Sequence, residues 1–298
     1  MSSLYGRLPR MTDDDELVPG SLVRRWRLGK QLRELREAAG KTMDEAAVYI
    51  GLTRPTVSRI ENGRHSILSK NVKFLCQLYE IGPPMVDMLV RQAEEASERG
   101  WWLAYSDTMP DWFETFVGFE ADAREIWTYQ AEAVHGLLQI PEYVRGLRTA
   151  SGKVSEADVE KSISFRRARQ YRLEHRPPRF RVVLNEAVLH RPVGSHADMA
   201  EQLRHIAEVS HAPWATIQVL PFDVGPHRSM SSPFSLMTLP DEKDPNFVYL
   251  EHYNGALYLE RPVDITTYRK VFEHLSSIAL SPDASRKLLV TLAEQYSG

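Results

Sequence analysis

The stretch Thr42–Gly63, TMDEAAVYIGLTRPTVSRIENG, decides how the first third of the chain reads. Thr42-Met43-Asp44-Glu45 places a hydroxyl three residues before a carboxylate, the spacing of a capping box, so a helix starts there. Met43, Ala46, Ala47 and Ile50 recur at helical spacing and form its buried stripe. Gly51 breaks that helix. After the tight turn Ile50-Gly51-Leu52-Thr53, Thr53 caps a second helix that tolerates Pro55 in its first turn. Val57 and Ile60 face inward, and Asn62-Gly63 stops it. The small Ala46 and Ala47 let the two helices touch, which leaves Arg54, Thr56 and Arg59 as the polar face of the second. Two short helices joined in this way form a helix-turn-helix, whose second helix lies in the major groove of DNA.

Working outward, Leu28, Leu32, Leu35 and Ala39 keep one apolar helix face that ends at Gly40. Ser69 to Ile81 reads as a fourth helix with Val72, Leu75, Cys76 and Tyr79 inside. Pro84 to Arg99 reads as a fifth with Met85, Met88, Leu89 and Gln92 on its inner side. Residues 21–100 are therefore expected to form a mainly α, five-helix DNA-binding domain. Ser21 to Leu75 holds twelve basic and five acidic residues, a net of +7 in a chain whose net charge is −3. A basic module on an acidic body suits a polyanion-binding head. Residues 1–20, with the run Asp13-Asp14-Asp15-Glu16, read as a flexible acidic arm.

Residues 101–298 read as an α+β domain with a mixed, partly antiparallel sheet. Its first part is aromatic, with nine of the chain's 28 aromatics between Trp101 and Tyr129. These read first as core packing of short helices, with the lining of a ligand pocket or of a partner groove as the alternatives. Asp122 to Val134, Pro141 to Thr149 and Ser155 to Leu173 read as helical. Strand-like runs follow at Phe180–Asn185, Ile217–Pro221, Phe234–Leu239, Phe247–His252 and Ala256–Glu260, with a helix His196–Val209 between the first two. Asn254-Gly255 signals a hairpin. A helix from Asp264 to Ala279 and another opening at Ser281-Pro282 close the chain. The run Arg166, Arg167, Arg169, Arg172, Arg176, Arg179 and Arg181 reads first as a solvated face. An acidic partner, an anionic ligand and flanking DNA are the alternatives.

The Thr42–Gly63 stretch resembles the Xre/Cro/cI-type helix-turn-helix regulators, on Thr42, Glu45, Ala46, Ala47, Gly51, Thr53, Val57, Ser58, Ile60, Glu61, Asn62 and Gly63, with the ending VSRIENGRH the most specific part. Further on, YQAEAVHGLLQIPEYVRGL (Tyr129–Leu147), RRARQYRL (Arg166–Leu173), LNEAVLHRPVG (Leu184–Gly194), IQVLP (Ile217–Pro221) and VYLEHYNGALYLE (Val248–Glu260) resemble actinomycete regulators, WhiJ-like ones among them. In these a domain of unknown function follows the head, and the gene often neighbours one for a small partner protein in a toxin–antitoxin-like pair. His135 departs from that pattern, which has proline before Gly136-Leu137-Leu138, and this leaves the local turn shape open.

The resemblance implies a transcriptional regulator, a repressor, that binds a palindromic operator in double-stranded DNA as a homodimer. A small partner protein or small-molecule effector would control it through the second domain. Its rival is an antitoxin-like protein that sequesters the small partner and autoregulates its operon. Carried over residue by residue, Arg54, Pro55, Thr56 and Arg59 face bases, and Thr42, Arg64, His65, Lys70 and Asn71 face phosphates. Arginine can bond O6 and N7 of guanine together, and free N–H groups at a helix start can hold phosphate.

Other classes are set aside on the residues. No run of about 18–20 apolar residues spans a membrane, and no apolar signal core follows Met1, so the cytoplasm is the expected location. Cys76 is the sole cysteine, which excludes an internal disulfide and a cysteine zinc cage. Glu201, His205 and His211 make no recognisable metal set, and no metal or cofactor is expected. With no nucleophile elbow, phosphate loop or kinase signature, the chain is not expected to be an enzyme.

Overall fold

A computed structural model describes residues 21–96, 101–152, 154–240 and 246–298. The acidic arm expected over 1–20 and the last residues of the expected fifth helix lie outside them. The head holds α1 (Ser21–Ala38), α2 (Met43–Tyr49), α3 (Arg54–Glu61), α4 (Ser69–Leu78) and α5 (Pro83–Glu95). Its core is built from Leu28, Leu32, Ala46, Ala47, Val57, Ile60, Val72, Leu75, Cys76, Leu89 and Ala93. The inner face of α5 is Val86, Leu89, Val90 and Ala93, while Met85 and Met88 stand exposed. Both sets have helical spacing. The expected one contained the polar Gln92, and the wholly apolar one turned inward.

The second unit follows as a 3-10 turn (Trp101–Thr108), α6 (Asp111–Asp122), β1 (Glu125–Gln130), α7 (Pro141–Ala150), α8 (Glu156–His175), β2 (Arg179–Asn185), α9 (Ala187–His190), α10 (His196–Val209), β3 (Ala215–Leu220), β4 (Phe234–Thr238), β5 (Phe247–His252), β6 (Gly255–Leu259), α11 (Pro262–Ile278) and α12 (Pro282–Ser297). The strands order β3-β2-β1-β4-β5-β6. β3, β2 and β1 run parallel, and β4, β5 and β6 continue antiparallel. The sheet is mixed, as expected.

Two expectations change. Asp122 to Val134 was expected to be helical, yet EIWTYQ forms β1 at the centre of the sheet. A short apolar run fits either period, and here β1 pairs with strands on both sides. The hairpin was expected at Asn254-Gly255, but its turn is Tyr253-Asn254, because His252 pairs with Gly255. That register brings Tyr249 opposite Tyr258 with ring centroids 5.3 Å apart, so the two-residue turn and the facing rings agree on one register.

Alternating residues of the sheet feed two cores. Phe180, Val182 and Leu184 of β2 join Met199, Leu203 and Leu289 on one face. Val183 joins Phe234, Phe272 and Leu275 beneath α11 on the other. Val23 and Trp26 of α1 belong to the first of these cores, so α1 is shared between the head and the second unit. No described helix is long and apolar enough to cross a membrane.

His135 settles the turn that the sequence left open. Its Nδ1 accepts the Leu137 N–H at 3.2 Å and opens the 3-10 turn Gly136–Leu138. The ring is 5% exposed, and burial, together with Arg169 and Arg166, pushes it down to about 4 against the pull of Glu120. Folded His135 is thus neutral where the unfolded ring, near 6.5, binds a proton. Stability must rise with pH between about 4 and 6.5 and be lost as pH falls through that window, by about 3 kcal/mol for this group. Asparagine can accept the same N–H. Urea titrations from pH 7 to 4 should therefore show His135→Asn losing about 3 kcal/mol less than the parent.

Candidate nucleic-acid interface

The helix-turn-helix is held by local chemistry. Thr42 and Glu45 form the full capping box: Glu45 N–H donates to Thr42 Oγ1 at 3.2 Å and Thr42 N–H donates to Glu45 Oε2 at 2.8 Å. The Thr42 amide and hydroxyl, both donating to Oε2, hold the Glu45 carboxyl below its usual range. Gly51 sits at φ 68°, a left-handed turn that favours glycine. Thr53 caps α3 by accepting from Thr56 N–H at 3.4 Å, and their hydroxyls bond at 2.9 Å. Val57 and Ile60 are buried, 1% and 3% exposed, which fixes the rotation of α3 and turns its other side outward.

Arg54, Pro55 and Arg59 are exposed on that side, and Thr56 is half-buried between them. Arg54 Nε lies 3.7 Å from Asp44 Oδ2, an exposed pair that a phosphate or base can displace at little cost. Arg64, His65 and Lys70 are exposed just beyond α3. Arg64 is not idle: its guanidinium lies over the Tyr258 ring at 6.0 Å, a contact with the second unit. Asn71 is 7% exposed in the first turn of α4, its side chain withdrawn into the head. The expected phosphate contact at Thr42 is already engaged, because Glu45 takes both its amide and its hydroxyl. Arg54, Pro55, Thr56 and Arg59 thus lie on α3 itself, Arg64, His65 and Lys70 are exposed further along the chain, and Asn71 is buried.

Sequence reasoning counted Arg36 and Glu61 as ordinary charges. They form the anchor of α3. Arg36 Nε meets Glu61 Oε1 at 2.6 Å, Nη2 meets Oε2 at 2.9 Å and Nη1 donates to the Lys41 carbonyl at 2.9 Å. Both side chains are under 10% exposed. The Glu61 hydrogen bonds raise the Arg36 guanidinium further above its ordinary value. The signal was present: Arg36 continues the i, i+4 stripe of Leu28 and Leu32, so it had to enter the core and find a partner there.

A family model described as a helix-turn-helix domain matches residues 27–89. Another, described as a domain of unknown function (DUF5753), matches residues 113–291. Over 36 residues the chain is 53% identical to the uncharacterized HTH-type transcriptional regulator RghRB of Bacillus subtilis (strain 168). That match covers 12% of this chain and 26% of the relative, so only about a quarter of the relative's length is spanned.

Removing one member of a buried ion pair strands the other. Glu61→Ala should therefore destabilise the head by about 3–5 kcal/mol in denaturant unfolding, while the double change Arg36→Met/Glu61→Leu should recover most of that loss.

Proposed function

This chain belongs to the DUF5753 family, and from that premise we propose that it is a sequence-specific DNA-binding transcriptional regulator, acting as a repressor on a palindromic operator. The observation that carries the reading is the outward face of α3. It is locked by Thr53, Val57, Ile60 and the Arg36–Glu61 pair, and it leaves Arg54, Pro55 and Arg59 exposed. Each arginine can read one guanine through O6 and N7, worth about 1–3 kcal/mol of discrimination. Arg64, His65 and Lys70 supply phosphate contacts that position the head without reading sequence. The likeness to a Bacillus subtilis regulator over 36 residues supports the same role.

One such head covers few base pairs, so we read the working form as a homodimer whose two α3 helices enter successive major grooves about one DNA turn apart. The second unit, most of the chain, is the seat of control by a small partner protein or ligand. Such control requires that the effector bind the DNA-competent and incompetent states with different affinity. The role is one of binding rather than catalysis, and it accords with a cytoplasmic location.

The test is a pull-down of genomic fragments at about 0.15 M salt, where phosphate attraction alone no longer dominates. The parent should enrich a few sites sharing a palindrome, and the Arg54→Ala/Arg59→Ala variant should lose them. Retention of the same sites by that variant overturns the assignment of the reading residues. Arg64→Ala should instead weaken all sequences alike and reduce the salt slope of log affinity by about 1.

A further inference from the structure

A cavity of about 530 Å³ opens in the second unit at the end of β1, within the size range of small-molecule sites. Its place is telling. β2 and β3 lie to one side of β1 and β4 to β6 to the other, and ligands of α/β sheets settle where the chain order reverses in this way. α6 contributes Trp112, Phe113 and Phe116, β5 contributes Tyr249, and α8 contributes Arg166 and Arg169.

The two arginines came from the run that the sequence read first as a solvated face, yet they point the other way. Arg169 is 4% exposed, with Nε and Nη2 each 2.7 Å from one oxygen of Glu120, and its charge also lies over the rings of Phe113, Phe116 and Phe165. That leaves Arg169 Nη1 buried with no partner. Arg166 Nε and Gln139 Oε1, on two other cavity residues, are also buried and unpartnered. Gly136 lets the guanidiniums close up: a Cβ there would lie within 3.0 Å of Arg169 Nη1 and nearer still to Arg166 Nη1.

Two guanidiniums thus share one buried carboxylate. Burial, with Arg169 beside it, pushes Arg166 down to about 9, against the pull of Glu120 and Glu251. His135, on the same wall, is held neutral by burial and by the two arginines, so it adds no third positive charge. Glu132 and Glu251 line the cavity too, but both are exposed, and Glu251 accepts from Tyr249 Oη at 3.0 Å. A buried charge without a partner is costly, and groups of this kind are normally paired.

We propose that this cavity binds a small organic anion, its carboxylate or phosphate pairing with Arg166 and Arg169 and its apolar body resting on Trp112, Phe113, Phe116 and Tyr249. As a regulatory site it rests on the reading of the second unit as the seat of control. α6 connects the two: Phe116 faces the cavity, and Phe119, one turn on, packs edge-to-face on Trp26 of α1 at 5.9 Å. Tyr258 lies between Tyr249 and Arg64, three residues beyond α3.

The full chain would be titrated with benzoate, phenyl phosphate, inorganic phosphate and neutral benzamide, followed by thermal unfolding and calorimetry. The proposal expects benzoate or phenyl phosphate to bind and raise Tm with concentration, and benzamide to do neither. Arg166→Gln should weaken anion binding about tenfold or more, the loss of a charge-assisted hydrogen bond. Gly136→Ala should weaken it as well, by forcing the guanidiniums apart while keeping both charges. Circular dichroism would check that each variant is folded. The proposal is overturned by silence of both organic anions, by an equal response to benzamide, by an equal response to inorganic phosphate, or by folded variants that respond as the parent does. Operator pull-down in the same buffers keeps the two readings apart. Anion binding without specific DNA binding sinks the regulator and leaves the site, and the converse leaves the regulator and sinks the site.

Discussion

The close contact between α1 and the C-terminal end of α3 sets where the rest of the head can go. At Gly29 the helices come so near that a Cβ would fall on the Ile60 carbonyl oxygen and 2.9 Å from the Glu61 oxygen. Seven residues on, about two turns, Arg36 grips both oxygens of Glu61 and the carbonyl of Lys41. Two contacts at two heights leave α3 no freedom to slide or tilt against α1. The Lys41 carbonyl belongs to the entry of α2, so one guanidinium indexes three helices. With its inner face committed in this way, α3 must present Arg54 and Arg59 to solvent.

Two buried Arg–Glu pairs of the same fork geometry lead to different ends. In the Arg36–Glu61 pair all three guanidinium nitrogens are bonded, and the network is closed. In the Arg169–Glu120 pair Nη1 has no partner, and Arg166 beside it adds a second charge with no carboxylate bonded to it. A fully satisfied buried network specifies structure, and one left short of a partner is unstable unless something else completes it. The first pair is a clamp. The arginines of the second line a cavity wall.

Legibility in the sequence followed how local the cause was. The caps at Thr42, Thr53 and Ser281, and the bounds of α10, depend on nearby residues, and they were readable. The outward turn of Arg54 and Arg59 followed from the Val57 and Ile60 stripe. β1 was misread because EIWTYQ carries no period long enough to separate strand from helix, and only its two neighbours in the sheet decide it. The α5 face was misplaced by one residue for a similar reason. Charged residues were the least legible. Arg36, Arg166 and Arg169 look like their exposed neighbours Arg33 and Arg167, and only distant partners or a cavity tell them apart. The aromatic stretch from Trp101 served two of the readings offered for it: Phe119 packs in the core, and Trp112 and Phe113 line the cavity.

The strength of the contact between head and second unit limits how any signal can pass. Trp26, 6% exposed, packs on Phe119, and fully exposing a side chain of 150–250 Å² costs about 4–6 kcal/mol. Val23 beside it is wholly buried and adds to that cost. Coupling between two sites is worth about 1–3 kcal/mol, too little to extract the anchor. The surrounding contacts are weaker. Trp26 Nε1 donates to Glu260 at 3.3 Å, Arg27 Nη2 donates to the Pro240 carbonyl at 2.6 Å, and Arg64 rests over Tyr258. Each is worth about 1–3 kcal/mol, so a ligand can exchange one of them. Under the proposed control, the head would re-angle about an anchored Trp26 rather than be released. Because α1 carries Trp26, Gly29 and Arg36, a tilt of α1 would carry α3 with it.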